Sequence, residues 1–263
     1  MNERVVSVSW VNQRLGDPSV RVVDVRDPWE FEGIGHVPGA VNIPFEEFRA
    51  PSAGAAEAGM LPGAAVFADL VGAAGIDGDD ELVAYDDDHG VFAARFLVTA
   101  ELYGHDPEKL HLLDGDFSAW QREGTGSDVS ADAAPTTYPA AFNSAGPLVE
   151  IDTVRAAIDD PETVVVDVRE PHEYDAGHLP NAVQLDWRTL VDEETRGLRP
   201  EDELRAVLAE HGITPDRRVL LYCNTARRIS HTYVVLRALG YEHVDFYEGS
   251  LTEWEAVGEE LAE

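Results

Sequence analysis

The chain is poor in cysteine, in lysine and in positive charge generally. Cys223 is the only cysteine among 263 residues. One thiol permits no internal disulfide and no thiol-rich metal site, so a disulfide scaffold and structural zinc are both excluded. An adduct formed on that thiol has to be resolved by an outside molecule. Lys109 is the only lysine, and acidic residues outnumber basic ones 51 to 19, for a net charge of −32. Such a surface argues against nucleic acid and anionic membrane as partners. It repels itself in dilute salt and suits a cytosol where molar salt screens it. The acids are spread along the chain, unlike an acidic partner-binding tail. No run of ~18 apolar residues is present, and Met1-Asn2-Glu3-Arg4-Val5 lacks the basic and apolar regions of a signal peptide. A soluble, cytoplasmic protein is expected.

What the chain does have is one pattern written twice. Val22-Val23-Asp24-Val25-Arg26-Asp27-Pro28 matches Val165-Val166-Asp167-Val168-Arg169-Glu170-Pro171. Gly35-His36-Val37-Pro38-Gly39-Ala40 then meets Gly177-His178-Leu179-Pro180-Asn181-Ala182, and the run from Leu113 to Trp120 meets that from Tyr247 to Trp254. Two tandem copies of one domain follow, each about 120 residues and long enough to bury a core. The boundaries fall at 1–126 and 148–263, with the Ala-, Ser-, Thr- and Pro-rich stretch 127–147 as a linker wrapping one domain onto the other. Short Val- and Leu-rich runs alternate with helical spacing, which gives an α/β class with a parallel sheet covered by helices. In the second copy strands are expected at 163–168, 182–185, 218–222 and 244–247, and helices near 151–159, 171–176, 201–211 and 228–239. Arg49 to Gly63 reads as a small-residue loop, with 192–200 as its counterpart.

Cys223 falls at the end of the apolar run Val219–Tyr222 and just before helical spacing at Ile229, Tyr233 and Leu236. Ligands of open α/β sheets lie beyond the carboxyl ends of strands. A strand-to-helix turn there aims backbone N–H groups and the helix dipole at an anion, and a thiolate is such an anion. The Cys223 thiol is therefore expected to ionise below the ordinary value of ~8.5 and to act as a nucleophile. Asn224, Thr225, Ala226, Arg227 and Arg228 complete the loop as substrate-binding candidates, with Arg228 open to the alternative of a structural pair with Glu173. A thiol and a guanidinium with four residues between them, Cys223 and Arg228, cradle a compact or sulfur-bearing anion. Phosphatase and arsenate-reductase loops carry five intervening residues, which fits this chain less well. In the first copy Asp86 stands where the second has Cys223, so that copy is expected to be silent and its loop Asp86–Gly90 to repel an anion. His36 and His178 recur in both copies and are expected to be structural, as are the pairs Asp24/Arg26 and Asp167/Arg169 at strand ends. His231 is expected to pack or to be exposed rather than to serve the site, and Trp29, Trp120, Trp187 and Trp254 to fill cores or the interdomain seam.

Taken together, the motif from Asp167 to Tyr174, the Gly177–Ala182 turn, the loop from Cys223 and the closing run to Trp254 resemble the tandem rhodaneses, over essentially the whole chain. The resemblance implies a central five-stranded parallel sheet in each domain and an inactive first domain. It implies ping-pong transfer of a sulfane sulfur, from a small-molecule donor such as thiosulfate, through a Cys223 persulfide, to cyanide or a thiol acceptor. No metal or organic cofactor is implied. Two alternatives accompany it: 3-mercaptopyruvate as donor, and a persulfide carrier that serves an acceptor protein. Three departures are visible. Ala226 stands where many relatives have Gly, Leu251 where they have an aromatic, and Glu173 where keto-acid enzymes place an Arg.

Overall fold

Runs of valine and leucine with little polar alternation become strands buried on both faces, as a parallel sheet between helices requires. The computed structural model describes residues 1–50, 60–125, 129, 131, 133–224 and 226–263. Strands β1 (Val5–Val6), β2 (Val20–Asp24), β3 (Val41–Asn42), β4 (Glu81–Tyr85) and β5 (Leu110–Leu113) form one parallel sheet in the order β1-β5-β4-β2-β3. Strands β6 (Thr163–Asp167), β7 (Val183–Gln184), β8 (Arg218–Tyr222) and β9 (Val244–Phe246) form the other, in the order β7-β6-β8-β9. The helices of the first copy are α1 (Val8–Asn12), α2 (Pro28–Gly33), α3 (Ala64–Ala73), α4 (Val91–Leu102) and α5 (Asp116–Glu123). Those of the second are α6 (Ile151–Ile158), α7 (Pro171–Asp175), α8 (Glu201–Glu210), α9 (Arg227–Ala238) and α10 (Ser250–Ala256). The expected strands and helices of the second copy all form, within one or two residues of their expected ends.

The second sheet differs from the five strands expected. Its fifth position is a single parallel bridge from Leu148 to Phe246, made by the Phe246 N–H on the Pro147 carbonyl at 2.8 Å and the Val149 N–H on the Phe246 carbonyl at 3.0 Å. Pro147 has no N–H to give, so the ladder stops there.

Helices α4 and α9 pack on each other across the seam, and nearly every residue of both is buried. A helix surrounded on all sides must be apolar or have its polar groups paired. Here Glu101 of α4 accepts from the Tyr233 hydroxyl of α9 at 2.7 Å and from Arg4 at 3.0 Å. One hydrophobic cluster therefore runs through both copies, joining Phe67, Phe96 and Tyr103 to Tyr233, Leu236 and Phe246. The stretch after residue 132 hugs the first copy. Tyr138 is buried against His105, Thr136 bonds Gly72, and Asn143 bonds Leu102. A Cβ on Gly72 would lie 2.7 Å from the Thr136 carbonyl, so only glycine admits this approach. Most of the loop 49–63 lies outside the described residues. Among the described residues no helix is long and apolar enough to cross a membrane.

The repeated polar residues brace the strand ends in both copies. Arg26 grips Asp24 and the Gly35 carbonyl, and Arg169 grips Asp167 and the Gly177 carbonyl, all four side chains buried. His36 and His178 bond the carbonyls of Phe31 and Tyr174 and stack on those rings. Trp120, Trp187 and Trp254 are buried, but Trp29 is 63% exposed, against expectation. It follows Pro28 on α2, where its indole N–H donates to the Asp27 carboxylate at 3.4 Å.

Candidate active site

Strand β8 delivers Cys223 to the carboxyl edge of its sheet, and α9 starts four residues later. The first turn of α10 fixes the backbone of this loop. Ser250 Oγ accepts the Cys223 N–H at 3.1 Å, the Leu251 N–H donates to the Cys223 carbonyl at 3.0 Å, and Thr252 Oγ1 donates to the Asn224 carbonyl at 3.0 Å. Ser250 adopts a left-handed φ of 51°, and a Cβ on the preceding Gly249 would fall 1.9 Å from the Glu253 carboxylate. That turn accepts no other shape cheaply. Cys223 is fully buried at the amino end of a helix twelve residues long. Ala226 keeps φ at −60°, so the departure from glycine costs the loop nothing. Thr225 lies outside the described residues.

The two arginines behind the cysteine have different partners. Arg228 Nη2 donates to Glu173 Oε1 at 3.0 Å, and its Nη1 reaches Oε2 of the same carboxylate. Hydrogen bonds from Arg228 hold the Glu173 carboxyl down at about 2, against partial burial. Burial works against the Arg228 charge, but Glu173 and the Cys223 sulfur together raise its pKa above the ordinary value. The Asn224 amide also donates to Glu173, at 2.7 Å, while its oxygen accepts from Arg169 at 3.3 Å. Arg227 is exposed and, among the described residues, makes no ion pair. Its guanidinium instead lies 5.4 Å from the Phe92 ring and 5.8 Å from the Phe45 ring, both in the first copy.

Arg227 and Arg228 open onto an interdomain cavity of about 400 Å³ that Asp88, Phe92, Trp187 and Arg188 also line. Arg188 is engaged by Glu170. His231 is buried beneath Trp187 with ring centroids 5.1 Å apart, and burial, reinforced by nearby His89, pushes its pKa down to about 3. It packs, as expected, and carries no charge near neutral pH. Among the described residues no cluster of His, Cys, Asp or Glu is arranged to hold a metal.

The corresponding loop of the first copy holds its own anion. Asp86, 2% exposed, takes the N–H groups of Asp88, Gly90 and Phe92 at 2.8 Å and of Ala93 at 2.9 Å. Burial pushes its carboxyl up to about 6 while those N–H groups pull it back. The four N–H groups are taken up by the protein's own carboxylate, so the place an outside anion would occupy is already filled by Asp86.

Sequence reasoning passed over Ser250, Thr252, Phe45, Phe92 and Arg188. The duplication carried a signal for Ser250, which aligns with Asp116 in an equally left-handed turn (φ 53°). No local pattern marks the aromatic pair, because it belongs to the copy without the thiol.

Comparison with known proteins agrees with this architecture. The family model described as the rhodanese-like domain matches twice, at residues 7–123 and 150–257. The thiosulfate sulfurtransferase of Pseudomonas aeruginosa is 32% identical, over 95% of this chain and 93% of that protein. The sulfur carrier protein TtuD of Thermus thermophilus is 31% identical, over 96% and 93%. The crystal structure of SseA from Escherichia coli, described as a 3-mercaptopyruvate sulfotransferase, superposes with a TM-score of 0.80 at 25% identity, covering 95% of this chain and 99% of that one. With two matches of the domain model in tandem and relatives aligned from end to end, the chain belongs to the rhodanese family.

Proposed function

We propose that this protein is a sulfurtransferase that moves the sulfane sulfur of thiosulfate through a persulfide on Cys223. Residues 148–263 carry the chemistry, residues 1–126 form an inactive partner domain, and 127–147 link the two. The observation that carries the reading is the pair of homologous strand ends. Where Asp86 draws four backbone N–H groups onto a carboxylate, the second copy places a thiol at the same strand end. The loop N–H groups and the start of α9 favour a thiolate there, against the burial that raises Asp86.

The Cys223 thiolate attacks the outer sulfur of thiosulfate. The S–S bond breaks, sulfite leaves with its electron pair, and a persulfide remains on Cys223. Cyanide or a thiol then attacks the outer persulfide sulfur, and the Cys223 thiolate leaves as it formed. Loop N–H groups from Asn224 to Arg228 stabilise the persulfide charge. Arg227, which has no carboxylate partner among the described residues, takes the sulfonate end of the donor. Arg228, neutralised by Glu173, contributes chiefly by holding the loop.

Two relatives motivate a second reading: SseA for a 3-mercaptopyruvate donor and TtuD for a persulfide carrier that hands sulfur to an acceptor protein. Steady-state transfer to cyanide in molar salt, with both donors side by side, separates these readings. Thiosulfate turnover that vanishes in Cys223→Ser is the expected result. A preference for 3-mercaptopyruvate moves the donor assignment. No turnover with either donor, in folded and reduced protein, overturns the small-donor enzyme and leaves the carrier.

A further inference from the structure

The inactive copy also reaches the turn behind the active loop through a buried ion pair. Arg95, in the middle of α4, is fully buried and pairs with the buried carboxylate of Glu248 in the second copy. Glu248 leads directly into Gly249 and Ser250, the strained turn that bonds the backbone of Cys223 and Asn224. The first copy shows the reciprocal arrangement. Its homologous turn bonds the Asp86 carbonyl through the Phe117 N–H at 2.8 Å, and Asp116 in that turn is held by Arg196 of the second copy at 2.8 Å. Each copy thus has the turn behind its own loop gripped by an arginine of the other.

Resting on the reading of Cys223 as nucleophile, we infer that Arg95 is a positioning residue for sulfur transfer, fixing the Cys223 backbone through Glu248 and the Gly249–Ser250 turn. A left-handed Ser persists only where its surroundings over-determine it. A buried carboxylate that loses its cation protonates or moves toward water, and the turn it leads moves with it. The inactive domain thereby sets the active loop, in addition to walling the cavity. Arg196 provides the internal control, since it grips an equivalent turn behind a loop without a thiol.

The test compares Arg95→Met with Arg196→Met in the full chain. Arg95→Met is expected to lower kcat about tenfold while the thiosulfate KM stays within about twofold, because Arg227 is untouched. It is also expected to raise the Cys223 pKa by about one unit, read as the ultraviolet absorbance of its thiolate against a Cys223→Ser blank. Arg196→Met is expected to leave both readouts native. If Arg95→Met does not fold, Arg95→Met with Glu248→Gln removes the anchor without stranding a buried charge, and the same losses are expected. Native kcat and native titration in a folded Arg95 variant overturn the inference, as do equal losses in both single variants. The titration needs no sulfur donor, so an inactive wild type would sink the proposed function and leave this question decidable.

Discussion

Two loops at matching strand ends, Asp86–Gly90 and Cys223–Arg227, face the same electrostatic demand and answer it differently. The first puts the carboxyl of Asp86 into a ring of backbone N–H groups. The second has a thiol at the matching strand end, with Arg228 already matched by Glu173 and Arg227 left facing the cavity. An anion belonging to the protein makes a structural plug, whereas the thiol is the proposed carrier of a transferable sulfur. The fold supplies the cradle in both cases, and one side chain decides which it becomes.

The largest effect should come from emptying the plug. Asp86→Leu strands four buried donors and is expected to cost about 4 kcal/mol, at ~1–3 kcal/mol for each unsatisfied group with partial relaxation. Cys223→Ala, at the matching position, is expected to cost about 1 kcal/mol, as for a small buried hydrophobe. Chemical denaturation of both variants measures the difference, and equal losses would break the comparison.

Acid sharpens it, because the two sites titrate with opposite sign. The Asp86 carboxyl is raised from 3.8 to about 6 in the folded protein, so the fold binds its proton more tightly than the unfolded chain does. Its contribution is fully present below pH 3.8 and is lost as pH rises through about 6, an effect of at most about 3 kcal/mol. Glu173 is lowered from 4.5 to about 2, so its contribution is present above pH 4.5 and is lost as pH falls through about 2. Stability measured from pH 7 down to pH 4 should therefore rise for the native protein relative to Asp86→Asn. A difference that stays flat would mean that the N–H groups hold Asp86 ionised throughout.

The reactive side of the comparison rests on Arg227. Arg227→Met is expected to raise the thiosulfate KM about tenfold with kcat little changed, since it removes a contact made equally in ground and transition states. A loss confined to kcat would instead place Arg227 at the transition state.

Much of this arrangement was legible in the sequence because the duplication supplied an internal alignment. Apolar runs and the matched Asp/Arg and Gly-His motifs located the strands, Asp86 at the matching strand end and the loop at Cys223. Contacts between distant segments left no such trace. Arg95 and Glu248, or Arg227 and the Phe45–Phe92 pair, meet only after the copies dock, and neither periodicity nor spacing encodes that meeting. The exposed Trp29 and the shortened edge at Leu148 are failures of a different sort. The first followed a rule about bulk hydrophobicity, and the second followed the family's strand count past a proline.

The smallest effect is the most diagnostic, because it sets stability against binding at one residue. Glu173 draws the guanidinium of Arg228 and the amide of Asn224 onto one carboxylate, so the loop is held at the expense of a cation that an anionic donor would otherwise meet. Glu173→Gln keeps the shape and one acceptor oxygen but removes the charge. With the pair only partly shielded from solvent, the change is expected to cost about 1 kcal/mol of stability. It also leaves Arg228 as a second uncompensated cation beside Arg227, which is expected to lower the thiosulfate KM about threefold. Thermal unfolding and steady-state kinetics on the same preparation measure the two together. A KM that rises instead would mean that Arg228 serves the donor only through the geometry Glu173 imposes, and that the loop's order matters more than its charge.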